Sequence, residues 1–489
     1  MASLSKTTYL MGLQCPKLLW YRYNAKEQIP EADEAQQAIF DQGHEVGALA
    51  KKLFPKGIEI AEGIVELDQV VQRTQEALPQ RRPLFEPACM TRDSYARADI
   101  LVPFGRHQWD IVEVKSSTKV KDINHHDLAF QKHVFTSAGL NIRKTFLLHI
   151  NSAYVRQGAV DPKKFFTKAD LTEIVAPLVL AVPAKIAEML AVIAQKDCPA
   201  VRIGKQCNDP YGCPLVPVCW KFLPERNSVM DLYRVGAHGF KLIHEGITKI
   251  ADIPESAALT GRQLIQWKTA RSGKPHVDAT AIESFLKKLK HPLSFLDFET
   301  FGTAIPLFDN SKPYGQVPFQ FSLHVVAKAE AKPEHRSFLA GEARDPRPDF
   351  MRELVEKLPP TGSIVAYNAP FEIARLKECC DLLPQYATWL VEVQERIVDL
   401  LEPFRAFDYY HPDQSGSASI KAVLPVLTGS GYEELAIQEG GAASREFLRV
   451  TFGEVPKGER AKIRKQLEEY CGLDTLGMWN IVNALTAAR

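Results

Sequence analysis

The sequence has almost no net charge. Its 60 Lys and Arg residues stand against 59 Asp and Glu, leaving +1 at pH 7, so no overall field draws the chain to polyanions and any nucleic-acid contact must be a local basic groove. It also has no long hydrophobic run. The greasiest stretch, Ile174 to Ala184, is short for a bilayer crossing and is interrupted by Pro177 and Pro183. The opening MASLSKTTYL lacks the apolar stretch of a secretory leader. The expectation is a cytoplasmic protein with no membrane partner. No repeat, low-complexity tract or Walker A loop is present, which excludes a solenoid and a nucleotide-driven motor. Cysteine is sparse, nine in 489 residues. In a reducing compartment these thiols are poor candidates for structural disulfides, and metal ligation or plain burial remains.

What is present is an ordinary globular composition, 45% hydrophobic and 24% charged, enough for two or three cores. Three stretches differ in pattern. Residues 1–225 alternate helical and strand-like segments and end in the loop GKQCNDPYGCPLVPVCW. Residues 226–290 read as a helical linker, with MDLYRVGAHGFKLIHEGITKIADIP resembling a helix-hairpin-helix around Gly246 and Ile247. Residues 291–489 open with the apolar strand LSFLDFET and close with a long helix, a mixed α/β pattern.

The segment RADILVPFGRHQWDIVEVKSST reads as a hairpin. Asp99 begins one strand, and Glu113 and Lys115, two apart on the other, point to one face. Two hard carboxylates can hold Mg²⁺ or Mn²⁺, while a lysine steadies the attacking water or the charge that develops on phosphorus. The competing reading is a surface ion pair of minor energy. Downstream, HHDLAFQKHVFTSAGL is helix-like and carries Gln131 and Phe135; upstream, QGHEVGALAKKLF carries His44 and Glu45, and LFEPA carries Glu86.

These residues resemble the PD-(D/E)XK nuclease superfamily in its RecB-like branch, which includes the CRISPR-associated Cas-four exonucleases. The resemblance implies a restriction-endonuclease-like fold with Asp99 and Glu113 as metal ligands, Lys115 and Gln131 as catalytic groups, and either His44 or Glu45 as a helix-borne ligand. Gln131 and Phe135 match the branch's Gln-x3-Tyr motif with Phe in place of Tyr.

Cys207, Cys213 and Cys219 share one Pro/Gly-rich loop with five residues between neighbours, and Cys15 lies in the helix-like SKTTYLMGLQCPKLLWYRY. Four thiolates suit a tetrahedral Zn²⁺ or a [4Fe-4S] cluster. The RecB-like branch carries an iron-sulfur staple made of one cysteine before the nuclease core and three after it, so the resemblance implies 4Fe-4S, with zinc the alternative. Cys198 is a possible substitute. Cys89, Cys379, Cys380 and Cys471 have no spacing partner and read as buried apolar residues.

In LSFLDFET, period two turns Asp297 and Glu299 to one side, and paired acids on a buried strand are costly without a cation. GSIVAYNAPFEIARLKE repeats the plan of strand, Asn368 and then an acid, Glu372, on the next helix; EYCGLDTLGMW puts Tyr470 and Asp474 at i and i+4 on one helix face. This set resembles the DnaQ-like (DEDD) exonucleases of the RNase H fold. The resemblance implies a 3′-5′ exonuclease in which Asp297, Glu299, Glu372 and Asp474 bind two metals and Tyr470 positions the nucleophile. Glu372 departs from the Asp usual at that motif, with Asp399 a substitute ligand.

The expectation for the whole chain is therefore α/β: a RecB-like PD-(D/E)XK nuclease with a four-cysteine site, a helical middle segment, and a DnaQ-like domain. The implied function is a metal-dependent nuclease acting on DNA, single-stranded or with free ends, with protein partners in repair, CRISPR-related processing or phage defence. Arg92, Arg97, Lys119, Lys121, Lys132, Arg143 and Lys144 could line a backbone groove, with Tyr95 or Trp109 stacking on bases; Lys241, Lys249 and Lys268 add charge in the middle segment. The alternatives are an iron-sulfur scaffold that holds nucleic acid with one or both centres silent, and RNA as the substrate of the C-terminal domain.

Overall fold

Alternation along the strand Trp109–Val114 feeds two cores at once, and this fixes where the acids go. A computed structural model describes residues 3–31, 33–63 and 66–487. The protein is mixed α/β and divides into two units, Met1–Lys221 with Thr303–Tyr314, and Phe222–Gly302 with Gly315–Arg489. The stretch expected as a linker clusters with the second unit.

In the first unit, six strands lie side by side in chain order: β1 (Ile58–Glu59), β2 (Leu84–Phe85), β3 (Ile100–Phe104), β4 (Gln108–Lys115), β5 (Asn141–Ile150) and β6 (Phe166–Asp170). β3 and β4 form the expected antiparallel hairpin, with Ile100 opposite Val112, while β4 and β5 run parallel. Leu101, Trp109, Ile111 and Leu147 face one core, which they share with helices α1 (Lys6–Gln14), α2 (Pro16–Asn24), α4 (Asp122–Ser137) and α5 (Thr172–Ile193). Ile100, Val112 and Leu148 face the other, with Val46, Leu49 and Ala50 of α3 (Glu34–Lys51) and Ala304 of the inserted 303–314 segment. That period-two split is the strand geometry of a sheet covered on both faces.

Among the described residues, α5 is the one helix long and apolar enough to cross a membrane. The sequence reading broke this run at its prolines, yet the helix continues through Pro177 and Pro183 for 22 residues. Val175, Val182, Ile186, Met189 and Ile193 are buried in the first core, and that packing offsets the two lost backbone hydrogen bonds.

The second unit is built on a five-stranded sheet of β7 (Leu293–Phe301), β8 (Val317–Val326), β9 (Glu334–Leu339), β10 (Ile364–Ala366) and β11 (Ile397–Asp399), in the order β9-β8-β7-β10-β11. β8 is antiparallel to β7 and β9, whereas β10 and β11 run parallel to β7. Leu296, Phe298, Phe321 and Leu323 pack on one face with Leu376 and Cys379 of α6 (Pro370–Leu382). The opposite face carries Asp297 and Glu299, and their β8 partners Ser322 and Gln320. It is covered by the terminal helix, numbered α9 here, Lys457–Ala487, which follows α7 (Ile420–Thr428) and α8 (Gly440–Phe452). Gln320 Nε2 donates to Leu467 O at 2.9 Å, and the hydroxyls of Ser322 and Thr475 lie 2.7 Å apart, so β8 fixes the helix that carries Tyr470 and Asp474. Of the region expected as a helix-hairpin-helix, Ala237–His244 is helical, Gly246 turns the chain at φ +88°, and the next full helix is Gly261–Ser272.

Candidate functional site

Two clusters of acids and one ring of cysteines emerge. In the first, Glu113 is 1% exposed and follows Ile111 by two residues, so it faces α4. Its carboxylate is fully engaged: Oε1 accepts from Lys115 Nζ at 2.6 Å and Lys6 Nζ at 2.7 Å, and Oε2 accepts from Gln131 Nε2 at 2.7 Å. Asp127, one helical turn before Gln131, completes the network. It accepts from Lys115 at 2.8 Å and from Gln131 at 2.7 Å. Asp99, just before β3, accepts the Val114 N–H at 2.6 Å.

The charge balance is visible in the acids. Burial pushes Glu113 upward, but the Lys115 and Lys6 ammoniums overcome it and hold the carboxyl well below the usual range. For Asp99, burial and the Glu113 charge outweigh the same two lysines and push it up to about 7. Beside it lies a cavity of about 300 Å³ whose lining includes Lys6, Glu86, Tyr95, Arg97 and Asp99; Arg97 and Glu86 are paired at 3.1 Å.

His44 and Glu45 are not brought to this centre. Both are exposed on α3, whose buried residues pack with Val112 on the opposite face of β4 from Glu113, and neither makes a hydrogen bond or ion pair to Asp99 or Glu113 among the described residues. Trp109, expected to stack on bases, is 4% exposed in the core, with the Arg81 guanidinium 4.3 Å from its ring centre. Arg143 and Lys144 pair with Asp110 and Asp170. Lys6 and Asp127 were missed by the sequence reading. Asp127 had a signal, the i, i+4 spacing to Gln131; Lys6, 107 residues from Glu113, had none.

Cys15, Cys207, Cys213 and Cys219 line a single cavity together with Lys17. Cys15 sits between α1 and α2, and the other three come from the loop, so the chain closes on itself here. Among the described residues, no three of these sulfurs lie within 4.8 Å of one another. Burial pushes the Cys213 thiol up to about 11. Cys198 is not in the lining and points its sulfur at Pro199 O, 3.7 Å away.

The second acidic cluster is organised differently. Glu299 (7% exposed), Glu372 (3%), Asp474 (6%) and the half-buried Asp297 gather at the β7 end, from the strand, the first turn of α6 and one face of α9. Burial, then Asp474, Glu299 and Glu372 in turn, push Asp297 well above the carboxylate range. Burial first raises Glu299 and Glu372 as well, each to about 8, and Asp474 to about 6. Glu372 Oε2 is buried with no hydrogen-bond partner. The Tyr432 hydroxyl donates to Asp474 Oδ1.

Tyr470 is 4% exposed, with its ring 6.1 Å from that of Tyr432. Lys421 Nζ lies 5.3 Å from the Tyr470 ring centre and donates to Gln438 O at 2.6 Å rather than to an acid. A side-chain carbon at Gly440, the first residue of α8, would lie 3.6 Å from Glu299 Oε2 and 3.9 Å from the Tyr470 hydroxyl, so α8 begins over the acids. Asp399 Oδ1 accepts the N–H groups of Asn368 and Leu401, and its charge is close enough to raise Glu372. Lys421, Tyr432 and Cys471 were missed as members. Only Cys471, inside the Tyr-x3-Asp helix turn, had a positional signal.

Comparison with known proteins matches residues 294–419 to a domain of unknown function, DUF2779. That span contains Asp297, Glu299 and Glu372 and stops before Tyr470 and Asp474. An uncharacterized protein of Mycoplasma genitalium, MG366, is 28% identical over 215 residues, 40% of this chain and 32% of that protein. Its homolog in Mycoplasma pneumoniae is 26% identical with the same coverage, and the uncharacterized UU173 of Ureaplasma parvum is 24% identical over 40% of this chain and 31% of its own length. The chain thus spans about a third of the length of the curated relatives it matches. A solved structure, SSO0001, shares 15% identity over 45% of this chain and 87% of its own, with a TM-score of 0.22.

Proposed function

We propose that this protein is a metal-dependent phosphodiesterase that processes DNA ends, with a PD-(D/E)XK-like centre around Asp99, Glu113 and Lys115 and a DnaQ-like exonuclease centre around Asp297, Glu299, Glu372 and Asp474. The observation that carries the reading is the second cluster: four acids, three of them buried, and an orphaned carboxylate oxygen at Glu372. Buried acids without hydrogen-bond or cation partners cost several kcal/mol, and oxygen donors of this kind suit Mg²⁺ or Mn²⁺. Divalent ions bound there would lower the pKa of an attacking water and stabilise charge on both sides of a scissile phosphate. The protein's own share is positional. β8 holds α9 so that Tyr470 stands over the acids, Tyr432 orients Asp474, and Lys421 supplies a nearby cation for a phosphate.

The four-cysteine cavity supports a [4Fe-4S] staple. Four thiolates on one zinc, with Zn–S near 2.3 Å in a tetrahedron, would lie about 3.8 Å apart, whereas no three of these sulfurs lie within 4.8 Å of one another. A cluster joining residue 15 to residues 207–219 would make its binding free energy part of folding. Anaerobically purified protein should be brown with about four iron per chain; colourless protein with stoichiometric zinc would remove the iron assignment.

The experiment is digestion of end-labelled single- and double-stranded DNA, with an RNA arm, in Mg²⁺ or Mn²⁺, comparing wild type with Lys115→Ala and Asp297→Ala. Labelled 3′ ends should shorten in the wild type and persist in Asp297→Ala. If no polymer is shortened, the nuclease reading fails. One observation favours a silent first centre that only holds nucleic acid: Lys6, Lys115 and Gln131 already occupy both Glu113 oxygens. Degradation unaffected by Lys115→Ala would select that reading for the first unit.

A further inference from the structure

The second cluster holds one group that hard carboxylates do not need. Cys471 is completely buried on α9, next to Tyr470 in the chain, and its sulfur lies 3.8 Å from Asp297 Oδ2 and 4.0 Å from Asp297 O. Its S–H donates to these oxygens, so the sulfur is turned toward the acids rather than into the apolar core. Here the ligand atoms of Asp297, Glu299 and Cys471 lie within 4.8 Å of one another, the one such trio of His, Cys, Asp or Glu among the described residues. Bond lengths of roughly 2.3 Å to sulfur and 2.0–2.2 Å to oxygen, at a tetrahedral angle, separate the two ligand atoms by about 3.6 Å. The observed 3.8 Å, spanned by an S–H···O hydrogen bond, is within a few tenths of an ångström of that spacing. A further donor stands in the same cluster, the partnerless buried oxygen of Glu372.

We propose that Asp297, Glu299 and Cys471 form a site for a thiophilic divalent ion of the Zn²⁺ type, and that this ion competes with Mg²⁺ or Mn²⁺ for the same carboxylates. Thiolate donors select Zn²⁺ over Mg²⁺ and Mn²⁺, which prefer oxygen, and the Irving–Williams order adds to the preference. Binding exchanges a proton for a metal: the Cys471 S–H bond breaks, an S–metal bond forms, and the proton leaves to solvent. The occupied site holds its ion too tightly for turnover, so micromolar Zn²⁺ inhibits a Mg²⁺-supported reaction. The proposal rests on the reading of this cluster as a metal site, though not on its substrate.

The test uses full-length protein and Co²⁺ as a spectroscopic probe, because a thiolate bound to cobalt gives a sulfur-to-metal charge-transfer band in the ultraviolet. Wild type, Cys471→Ser, Cys471→Ala and Asp297→Asn are titrated in parallel. Any contribution from the four-cysteine cavity is common to all and cancels in the differences. The wild type should show a band that both Cys471 variants lack and Asp297→Asn weakens, and the Cys471 variants should bind Zn²⁺ about 100-fold more weakly or worse, beyond the ~10–100-fold typical of outer-shell changes. Reading two substitutions, each checked by its thermal melt, separates a lost ligand from a misfolded helix. Identical cobalt spectra and unchanged Zn²⁺ affinity in the Cys471 variants overturn the proposal. Failure of the metal reading itself looks different: Asp297→Asn would then leave Mn²⁺ binding, followed by its paramagnetic resonance signal, the same as wild type.

Discussion

Both centres begin with acids brought together on a paired strand, but they neutralise that charge by different means. Around Glu113 the protein supplies the compensation, with two ammoniums and one amide at 2.6–2.7 Å, and the carboxylate stays ionised. Around Asp297 it supplies almost none. Lys421 bonds a backbone carbonyl, and although its charge acts on Glu299 and that of Arg375 on Glu372, burial still pushes both acids up to about 8, which favours protons as the neutralising charge. A divalent ion entering the first centre has to displace protein cations; one entering the second displaces protons. The difference follows from position: β4 carries Lys115 itself and faces α1 and α4, which bring Lys6 and Gln131, whereas β7 faces α9, which brings a further acid, Asp474.

The largest expected effect falls on the second centre. Asp297→Ala removes a donor facing Glu299, Asp474 and Glu372 and, on the proposed reading, should lower 3′-end shortening by more than ~10³-fold, because a lost ligand would weaken metal-assisted charge stabilisation at the scissile phosphate. Lys115→Ala at the first centre should lower cutting by roughly 10²–10³-fold, the usual cost of one charge-stabilising donor, yet leave metal binding equal or tighter, because it removes a competitor for Glu113. Calorimetric Mn²⁺ titration separates the two. If Lys115→Ala weakens metal binding as Asp297→Ala does, the contrast between the centres is lost.

A third effect is set by pH. Glu299 and Glu372 rise from an ordinary 4.5 to about 8, so the folded state binds more protons than the unfolded chain. Without metal, the cluster's contribution to stability is complete below about pH 4.5 and is lost as pH rises through 8. Metal affinity runs the other way and should climb by at least tenfold between pH 6 and 8, as metal replaces protons. Thermal melts with and without Mg²⁺ over pH 5–9 check both signs. A metal-free protein that gains stability from pH 5 to 8 through this cluster, as judged against Glu299→Gln, would contradict the uncompensated charge.

Much of this was legible in the sequence where the signal is local. The hairpin of β3 and β4, the shared face of Glu113 and Lys115, the pairing of Asp297 with Glu299 and the Tyr470–Asp474 turn all follow from periods of two and four residues. The convergence of Cys15 with the 207–219 loop was legible through residue type. What was not legible depends on tertiary packing. Lys6 reaches Glu113 because α1 lies on the same face as α4, and no spacing encodes that. His44 and Glu45 looked suitable by order in the chain, but α3 packs on the far side of the sheet. Proline misled in a similar way: Pro177 and Pro183 predict a break, and the buried stripe from Val175 to Ile193 keeps α5 whole.

The smallest expected effect tests the comparison most finely, because it changes one hydrogen bond and no charge. Tyr432 donates its hydroxyl to Asp474, and this bond opposes the burial that pushes Asp474 up to about 6. It is the second centre's weak counterpart of the Gln131 amide on Glu113. Tyr432→Phe keeps the ring against Tyr470 and removes the donor, so Asp474 should hold its proton to higher pH. A hydrogen bond to a charged group contributes about 1.5–3 kcal/mol. Partial replacement by water lowers the observable effect to about 1 kcal/mol, a roughly fivefold loss of Mn²⁺ affinity at pH 7. The loss should shrink as pH rises, because above the new pKa the carboxylate is ionised with or without its donor. The corresponding change at the first centre, Gln131→Leu, leaves Glu113 with both lysines and should show no such recovery with pH. Equal pH behaviour in the two variants would mean that protons, rather than protein cations, balance both centres.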